Sequence, residues 1–284
     1  MFHRYFIVCI DCLASVRFII SGPEHWGCEV HDLFISRGNQ HDKAFELRVP
    51  KLSLCPQTLG ANKLPIMGVS GAGKSTLMNV IAAIEWPHSA SSKITWTFPD
   101  GEIISWSVNG PDPKHLKLLR RHYFGFAFQA STLIPHLTIL DNLTYPLEIN
   151  GYSRDQAREK AVGFLERVVL DDVSSILRQY PHELSGGEKQ RVALIQSLVH
   201  DPTVLFADEP TGSLDPVTRG YVMDVLVNWV ETSPQEKFLI WVTHHADDPE
   251  EYKITRRLSV FDGTCQWQGY ENSSRDWVSE NASI

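Results

Sequence analysis

A glycine-rich segment that contains one lysine and two serines has the composition of a phosphate-binding loop. Residues 68–75 read GVSGAGKS, after a short apolar run and before apolar residues at helical spacing. Glycines let several backbone N–H groups turn towards a triphosphate, and the start of a helix adds a favourable dipole. We therefore expect Lys74 to neutralise the β- and γ-phosphates of a nucleotide and the Ser75 hydroxyl to ligate Mg²⁺.

Two adjacent acidic residues, Asp208 and Glu209, follow another apolar run at 204–207. Ligands bind at the carboxyl ends of parallel strands, so these acids are placed to meet the phosphate loop. We interpret Asp208 as a ligand of Mg²⁺ and Glu209 as the base that polarises the attacking water, a role that contributes roughly 10²–10⁴-fold to a rate. An isolated Asp-Glu pair is more often a turn or a helix start, and the phosphate loop is what favours the catalytic interpretation.

The elements that must hold these groups alternate between strands and helices. Short continuous apolar runs are typical of parallel strands buried on both faces, and alternating residues around a glycine turn predict hairpins. The predicted strands are 63–67, 204–207 and 238–242, the predicted hairpins lie at 94–108 and around Asp262-Gly263, and the predicted helix is 153–170 with Ser153 as its cap. This alternation indicates an α/β core that carries subdomains.

An octet upstream of the two acids, LSGGEKQR at 184–191, resembles the signature motif of ABC ATPases. The family's other motifs occur in order along the chain. Gln129 resembles the Q-loop glutamine, Asp215 belongs to a D-loop-like Ser-Leu-Asp, and His244 resembles the switch histidine. The resemblance covers about residues 29–265, which is nearly the whole chain.

The resemblance implies an α/β fold of the P-loop NTPase class. We expect an ABC-type nucleotide-binding domain at 28–265, with an antiparallel β subdomain and a helical subdomain at about 130–184. Residues 1–27 would be an N-terminal extension of unknown role, and 266–284 a C-terminal tail.

The resemblance also implies that two copies pair head to tail around two ATP molecules with Mg²⁺, so that each ATP contacts both copies. The residues expected to contact each ATP are Gly68, Ser70, Gly71, Ala72, Gly73, Lys74, Ser75 and Thr76 of one copy, with Ser185, Gly186, Gly187 and Asp215 completing the set. The expected catalytic residues are Glu209, His244, Gln129 and Lys74, and the expected metal ligands are Ser75, Gln129 and Asp208.

The function implied is that of an ATP-hydrolysing subunit that powers a separate multi-pass permease, most like the lipoprotein-releasing, macrolide-exporting and cell-division subgroup. We expect a homodimer, held on the cytoplasmic face of the membrane by its permease. The alternative is a soluble ABC ATPase acting on nucleic acid or the ribosome. The formal net charge of −8 argues against it, because nucleic-acid binding depends on neutralising phosphates.

Three interpretations stay open in the sequence. Leu133, Ile134 and Leu137 are either anchors for a permease helix or ordinary packing of the helical subdomain. Cys9 and Cys12 form a C-x-x-C pair, which is either a redox or metal site or two small apolar residues in a packed or disordered extension. The lack of a second pair or a nearby histidine cluster favours the latter. The contact for the adenine base is unassigned, and the candidates for it are Phe34, Arg37 and Phe45.

Overall fold

The computed structural model describes residues 23, 25–38, 45–128, 132–167, 173–212, 214–245, 252–271 and 276–279. The strands are β1 (Gly27–Arg37), β2 (Phe45–Leu54), β3 (Lys63–Met67), β4 (Lys93–Thr97), β5 (Ile103–Trp106), β6 (Phe124–Phe128), β7 (Val204–Asp208), β8 (Phe238–Val242), β9 (Arg256–Phe261), β10 (Thr264–Glu271) and β11 (Asp276–Ser279). The helices are α1 (Pro56–Leu59), α2 (Lys74–Ile81), α3 (Pro113–Leu118), α4 (Ile139–Ile149), α5 (Arg154–Arg167), α6 (Val173–Ile176), α7 (Gly186–Leu198) and α8 (Pro216–Thr232). A π-helical turn, Leu119–Tyr123, continues α3, and a 3₁₀ turn lies at Pro181–Glu183.

A seven-stranded sheet with the order β11-β10-β9-β3-β8-β7-β6 forms the centre of the domain. Strands β6, β7, β8, β3 and β9 pair in parallel, and β10 and β11 extend one side in antiparallel fashion. Every residue of β8 is buried, as are the first four residues of β7. The prediction that these strands are buried on both faces is therefore confirmed for β7 and β8, because side chains on both faces of each apolar run are removed from water.

A separate four-stranded antiparallel sheet, β2-β1-β4-β5, packs on the same core. The predicted hairpin is confirmed: Ile94 pairs with Trp106 and Trp96 with Ile104 across a turn in which Gly101 N donates to Phe98 O at 2.9 Å. Trp96 is fully buried, and its indole N–H donates to Ile81 O at 2.8 Å, which ties this sheet to the end of α2. The antiparallel sheet is thereby fixed to the helix that follows the phosphate loop.

The helical part of the chain has its own apolar core. Leu143 and Leu147 of α4, Ala157, Ala161 and Leu165 of α5, and Val192 and Ile195 of α7 belong to one cluster of buried residues. The predicted helix at 153–170 is observed as α5, where Gln156 N donates to the Ser153 hydroxyl at 3.3 Å. Residues 168–170 of the predicted helix lie outside the described residues.

One prediction about the C-terminal end of the chain differs from the structure, and one about the N-terminal end concerns residues outside the described ranges. The predicted tail at 266–284 starts inside β10, and β11 pairs with β10, so the sheet continues past residue 265. Trp267 shows why, because its side chain is only 7% exposed and packs in the main core. Cys9 and Cys12 lie outside the described residues.

Candidate functional site

The phosphate loop is a tight connection between β3 and α2 that two of its glycines make possible. Gly68 has φ +148°, and a Cβ there would lie 2.1 Å from Val260 O. Gly73 has φ +105°, and a Cβ there would lie 2.6 Å from Cζ of the Phe45 ring. A larger residue at either position would clash with β9 or with Phe45, so the loop geometry requires glycine at both.

Lys74 is the first residue of α2 and is held over the loop. Its side chain is buried at 7% exposure, and Nζ donates to Gly68 O at 2.8 Å and to Val69 O at 3.0 Å. The two carbonyl groups thus supply hydrogen-bond partners for the buried ammonium group. It is therefore positioned to meet an anion that the loop holds.

Asp208 ends β7 directly opposite the start of α2. The Ser75 hydroxyl donates to Asp208 Oδ1 at 3.0 Å. Partial burial raises the pKa of the Asp208 carboxyl, while the hydrogen bond from Ser75 and the charge of Lys74 oppose that rise and the charge of Glu209 adds to it. A partly desolvated carboxylate beside a hydroxyl is a pair of hard oxygen ligands, which fits Mg²⁺.

Glu209 and His244 come from the ends of neighbouring strands and face each other. Glu209 has φ +46°, and its backbone N–H donates to Val242 O at 3.1 Å. Glu209 Oε1 and His244 Nδ1 are 3.5 Å apart, and the two side chains are 29% and 50% exposed. His244 also lines a cavity of about 610 Å³ with Gly68, Val69 and Ser70. Five residues of this region are predicted from the sequence to act in catalysis or to ligate Mg²⁺, and we call them the catalytic cluster: Lys74, Ser75, Asp208, Glu209 and His244.

The signature octet begins α7 with a reciprocal capping arrangement. The Glu188 N–H donates to the Ser185 hydroxyl at 3.3 Å, and the Ser185 N–H donates to Glu188 Oε2 at 2.9 Å. The Ser185 hydroxyl also donates to Glu188 Oε2 at 2.5 Å. Hydrogen bonds from the Ser185 hydroxyl and from the Ser185 N–H lower the pKa of the Glu188 carboxyl. The first helical residue, Gly186, is exposed, and a Cβ built on it would meet nothing within 4 Å. The start of this helix therefore presents an open backbone surface with a positive dipole end.

Asp215 has a structural role that the sequence resemblance did not supply. Its side chain caps α8 by accepting from Val217 N at 3.0 Å, Thr218 N at 3.1 Å and the Thr218 hydroxyl at 2.6 Å. Hydrogen bonds from Thr218 lower the pKa of Asp215. Thr218 also lies 3.5 Å from a Cβ built on Gly187 of α7. Because Thr218 is hydrogen-bonded to Asp215, Asp215 is close to the start of α7. We call Ser185, Gly186, Gly187 and Asp215 the signature cluster.

The structure places the two clusters separately. Among the described residues, no hydrogen bond joins the signature cluster to the catalytic cluster. Gln190 supplies an indirect link, because its Nε2 donates to Pro210 O at 3.2 Å and to Phe128 O at 3.4 Å. Gln129, predicted as a metal ligand and catalytic residue, lies outside the described residues.

Sequence reasoning missed Glu188 and Gln190 as residues that organise the site. The signal for Glu188 was present, because Ser-x-x-Glu before a helix predicts a capping box. Nothing in the local sequence indicates that the Gln190 side chain donates to two distant carbonyl groups, Phe128 O at the end of β6 and Pro210 O after β7.

Neither a metal cluster nor a membrane span is evident in the described part of the chain. No group of three histidine, cysteine, aspartate or glutamate side chains there could hold a metal ion, so a cation would rely on Ser75 and Asp208 with further ligands from elsewhere. Of the helices in those same residues, none is both long and apolar enough to cross a membrane.

Comparison with known proteins identifies relatives of the chain. The family described as ABC transporter matches residues 60–212. The lipoprotein-releasing system ATP-binding protein LolD of Treponema denticola is 39% identical over 184 residues, which cover 64% of this chain and 74% of that protein. The macrolide export ATP-binding/permease protein MacB of Rhodopseudomonas palustris is 38% identical over 194 residues, covering 68% of this chain and 27% of that protein.

A solved structure extends the comparison to nearly the whole described fold. The ATP-binding cassette MJ0796, as a dimer in a post-hydrolysis state with ADP and Pi, matches with a TM-score of 0.68 at 26% identity. The match covers 87% of this chain and 100% of that chain.

Proposed function

Because the chain belongs to the ABC transporter family and is an ATP-binding, ATP-hydrolysing subunit that powers a membrane permease, we propose that its catalytic and signature clusters are the two halves of a composite ATP site. The resemblance to the lipoprotein-releasing and macrolide-exporting subgroup is confirmed by the LolD and MacB relatives. The observation that carries the proposal is that the two clusters are separate in one copy, although both are built to face an anion.

Each composite site would form between two copies arranged head to tail. In such a dimer, residues 185–187 of one copy would close over the nucleotide held by the phosphate loop of the other. The open backbone at Gly186 supports this arrangement, because an exposed helix start without a neighbouring Cβ can approach a γ-phosphate closely. The dimeric state of MJ0796 is a precedent for pairing in a similar fold.

Hydrolysis would depend on the two residues that face each other at the strand ends. Glu209 would accept a proton from the attacking water, while His244 would hold the γ-phosphate and Lys74 would balance the charge of the β- and γ-phosphates. The distance of 3.5 Å between Glu209 Oε1 and His244 Nδ1 leaves these groups close enough to act on one phosphate. Gln129 would complete the set by sensing the γ-phosphate.

Ser75 and Asp208 would hold Mg²⁺, with Gln129 as a further ligand. When bound, the cation would neutralise negative charge that develops on the phosphates. The raised pKa of Asp208 supports this assignment, because a partly desolvated carboxylate gains most from a nearby positive charge.

Phe45 is the candidate that best fits a contact with the adenine base. Its ring packs against the phosphate loop at Gly73. The two other candidates have partners, since Arg37 forms an ion pair with Glu85 and the Arg48 guanidinium lies 4.3 Å from the centroid of the Phe34 ring. An aromatic face at the edge of the loop provides an apolar platform for a purine.

Permease docking would use a groove beside α4 rather than Leu133. Leu133 is 6% exposed and packs inside the helical core, which favours the packing interpretation for that residue. Tyr145 and Ile149 are 52% and 38% exposed and line a groove of about 340 Å³ that also contains Phe126. An apolar groove of this kind can take a short helix from a membrane partner, which would hold the protein on the cytoplasmic face of the membrane.

Glu209→Gln tests the composite site. The variant should bind ATP, fail to hydrolyse it and accumulate as a dimer, because the base is lost while the phosphate contacts remain. The measurement is size-exclusion chromatography with light scattering in ATP and in ADP, with Glu236→Gln as the control, because Glu236 is exposed and outside both clusters. Normal turnover by Glu209→Gln would refute the role of Glu209, and a monomer in ATP would refute the composite site.

The permease proposal is tested by affinity purification from membranes of the native host. A multi-pass protein should co-purify with the wild type and be depleted with Tyr145→Ala, while Tyr152→Ala, which replaces an exposed tyrosine outside the groove, should retain it. Recovery with ribosomes or nucleic acid instead would favour the soluble alternative. None of the three compared proteins is named for such a partner.

A further inference from the structure

A row of cations on α3 and the following π-helical turn has no role in ATP hydrolysis as described above. Residues 113–122 read PKHLKLLRRH, with lysine or arginine at four of the ten positions in a chain whose net charge is −8. We call Lys114, Lys117, Arg120 and Arg121 the basic ridge. Lys114, Lys117 and Arg120 are exposed, and Arg121 is half-buried.

The apolar residues between these cations fix the ridge to the domain. Leu119 is fully buried and Tyr123 is 8% exposed, while Leu116 and Leu118 pack on the main core. Asn150 Nδ2 donates to Arg121 O at 2.8 Å, which fastens the end of α4 to the ridge. The helix therefore presents its charges outwards from a rigid base, as an amphipathic helix does at a surface.

The cations of the ridge are not neutralised by their neighbours. Within the described part of the chain, no carboxylate oxygen lies within 4.0 Å of their charged nitrogens. Two nearby acids have other hydrogen-bond partners: Asp112 accepts from Lys114 N at 2.8 Å as the helix cap, and Asp100 accepts from the Tyr123 hydroxyl at 2.6 Å. A local positive surface therefore persists in an acidic protein, since fields from distant charges are screened beyond about 10 Å at 0.1 M salt.

The ridge borders the groove proposed for the permease. Arg120 and Arg121 line that groove together with Tyr145, Pro146 and Ile149. A partner helix that emerges from the bilayer and enters the groove would bring this side of the domain towards the membrane surface. The contiguity of exposed cations with an apolar groove thus points to one face that meets both a membrane protein and lipid.

We propose that the basic ridge binds anionic phospholipid headgroups of the membrane that holds the permease, an inference that rests on the proposed docking of the groove. Four clustered lysine and arginine residues on an amphipathic helix are enough to attract an anionic leaflet. Lipid is favoured over nucleic acid because the ridge adjoins the apolar groove. The contact orients the subunit so that the groove faces its partner.

Sedimentation of the purified full chain with lipid vesicles tests the proposal. One set of vesicles is phosphatidylcholine alone, and in the other about a third of the lipid is phosphatidylglycerol. The wild type should bind the anionic vesicles, and binding should fall as salt rises. Because each lysine near an anionic surface changes affinity about five-fold, K114Q/K117Q should weaken binding by about 30-fold.

The matched control is K51Q/K253Q, which removes two exposed lysines from other parts of the chain and should leave vesicle binding within about two-fold of the wild type. Equal binding of K114Q/K117Q and the control would overturn the proposal, as would equal binding to neutral vesicles. Preference for a duplex RNA of equal phosphate concentration would overturn it in favour of nucleic acid. Turnover of ATP is measured on the same samples. A failure of the proposed ATPase function is thereby distinguished from a loss of lipid binding.

Discussion

Replacing Gly186 with alanine separates a role in folding from a role in closing over a nucleotide. A Cβ at Gly186 would meet nothing within 4 Å, and Gly186 is the first residue of α7. The single chain should therefore fold normally, with its free energy of unfolding changed by no more than about 1 kcal/mol. In the proposed dimer the same methyl group would lie where the helix start approaches the γ-phosphate of the partner's ATP.

The expected effect on turnover is much larger than the effect on stability. Losing a preorganised set of backbone donors to a reacting anion costs about 10²–10³-fold, so Gly186→Ala should lower ATP turnover by at least about 100-fold. Gly163→Ala is the matched control, because Gly163 lies within α5 and a Cβ there also meets nothing within 4 Å. That control should raise Tm by up to about 4 °C and leave turnover unchanged.

The assay combines three measurements on each variant. They are thermal unfolding, steady-state release of phosphate, and binding of nucleotide to the monomer. Gly186→Ala should match the wild type in unfolding and in binding of ATP to the phosphate loop, and should differ only in turnover. Turnover within about two-fold of the Gly163→Ala control would refute the reasoning that the open start of α7 is reserved for a phosphate.

Further predictions concern the catalytic cluster and the helix cap. Lys74→Ala should abolish turnover and weaken ATP binding in a fluorescence titration, because the buried ammonium group is lost; unchanged binding would contradict its placement. Gly68→Ala should lower stability in urea by about 1–3 kcal/mol or more, because the residue has φ +148° and its Cβ would lie 2.1 Å from Val260 O; a wild-type midpoint would argue against this loop geometry. Hydrogen bonds lower the folded-state pKa of Glu188, so its contribution is present above the unfolded value of about 4.3 and is lost as pH falls through the folded value. The difference in Tm between the wild type and Glu188→Gln should therefore shrink as pH is lowered below about 4.3, and a constant difference would contradict the cap.

The parts of this fold that the sequence predicts are those set by local pattern. The buried strands β7 and β8 and the β4–β5 hairpin follow from continuous or alternating apolar residues, and the phosphate loop follows from glycine spacing. Each of these signals is contained within a short segment, so no knowledge of distant contacts is needed.

The parts that the sequence does not predict depend on contacts between distant segments. Residues 266–284 are predicted from the sequence to be a C-terminal tail, yet β10 pairs with β9 and buries Trp267 in the main core. Leu133 could have been an exposed anchor, and only the packing of α4 and α7 around it decides otherwise. The pattern of a single segment carries no information about which neighbour covers it.

The candidate site likewise combines residues that the local sequence predicts with contacts that depend on the folded chain. The identities of Lys74, Ser75, Asp208 and Glu209 follow from motifs, and the structure adds that the Ser75 hydroxyl donates to Asp208. Two features need the folded chain: the cap that Asp215 forms on α8, and the hydrogen bonds from Gln190 to the end of β6 and to Pro210 after β7. Gln129 lies outside the described residues, so its role stays a prediction.

Mixing two inactive variants tests the composite site most directly. In a dimer of one Lys74→Ala copy and one Gly186→Ala copy, one site has both defects, while the other combines an intact phosphate loop with an intact signature cluster. Each variant alone should be inactive, and an equal mixture should recover up to about a quarter of wild-type turnover, because about half of the dimers are mixed and each has one intact site. A mixture that is no more active than either variant alone would contradict the claim that each ATP is held by residues of both copies.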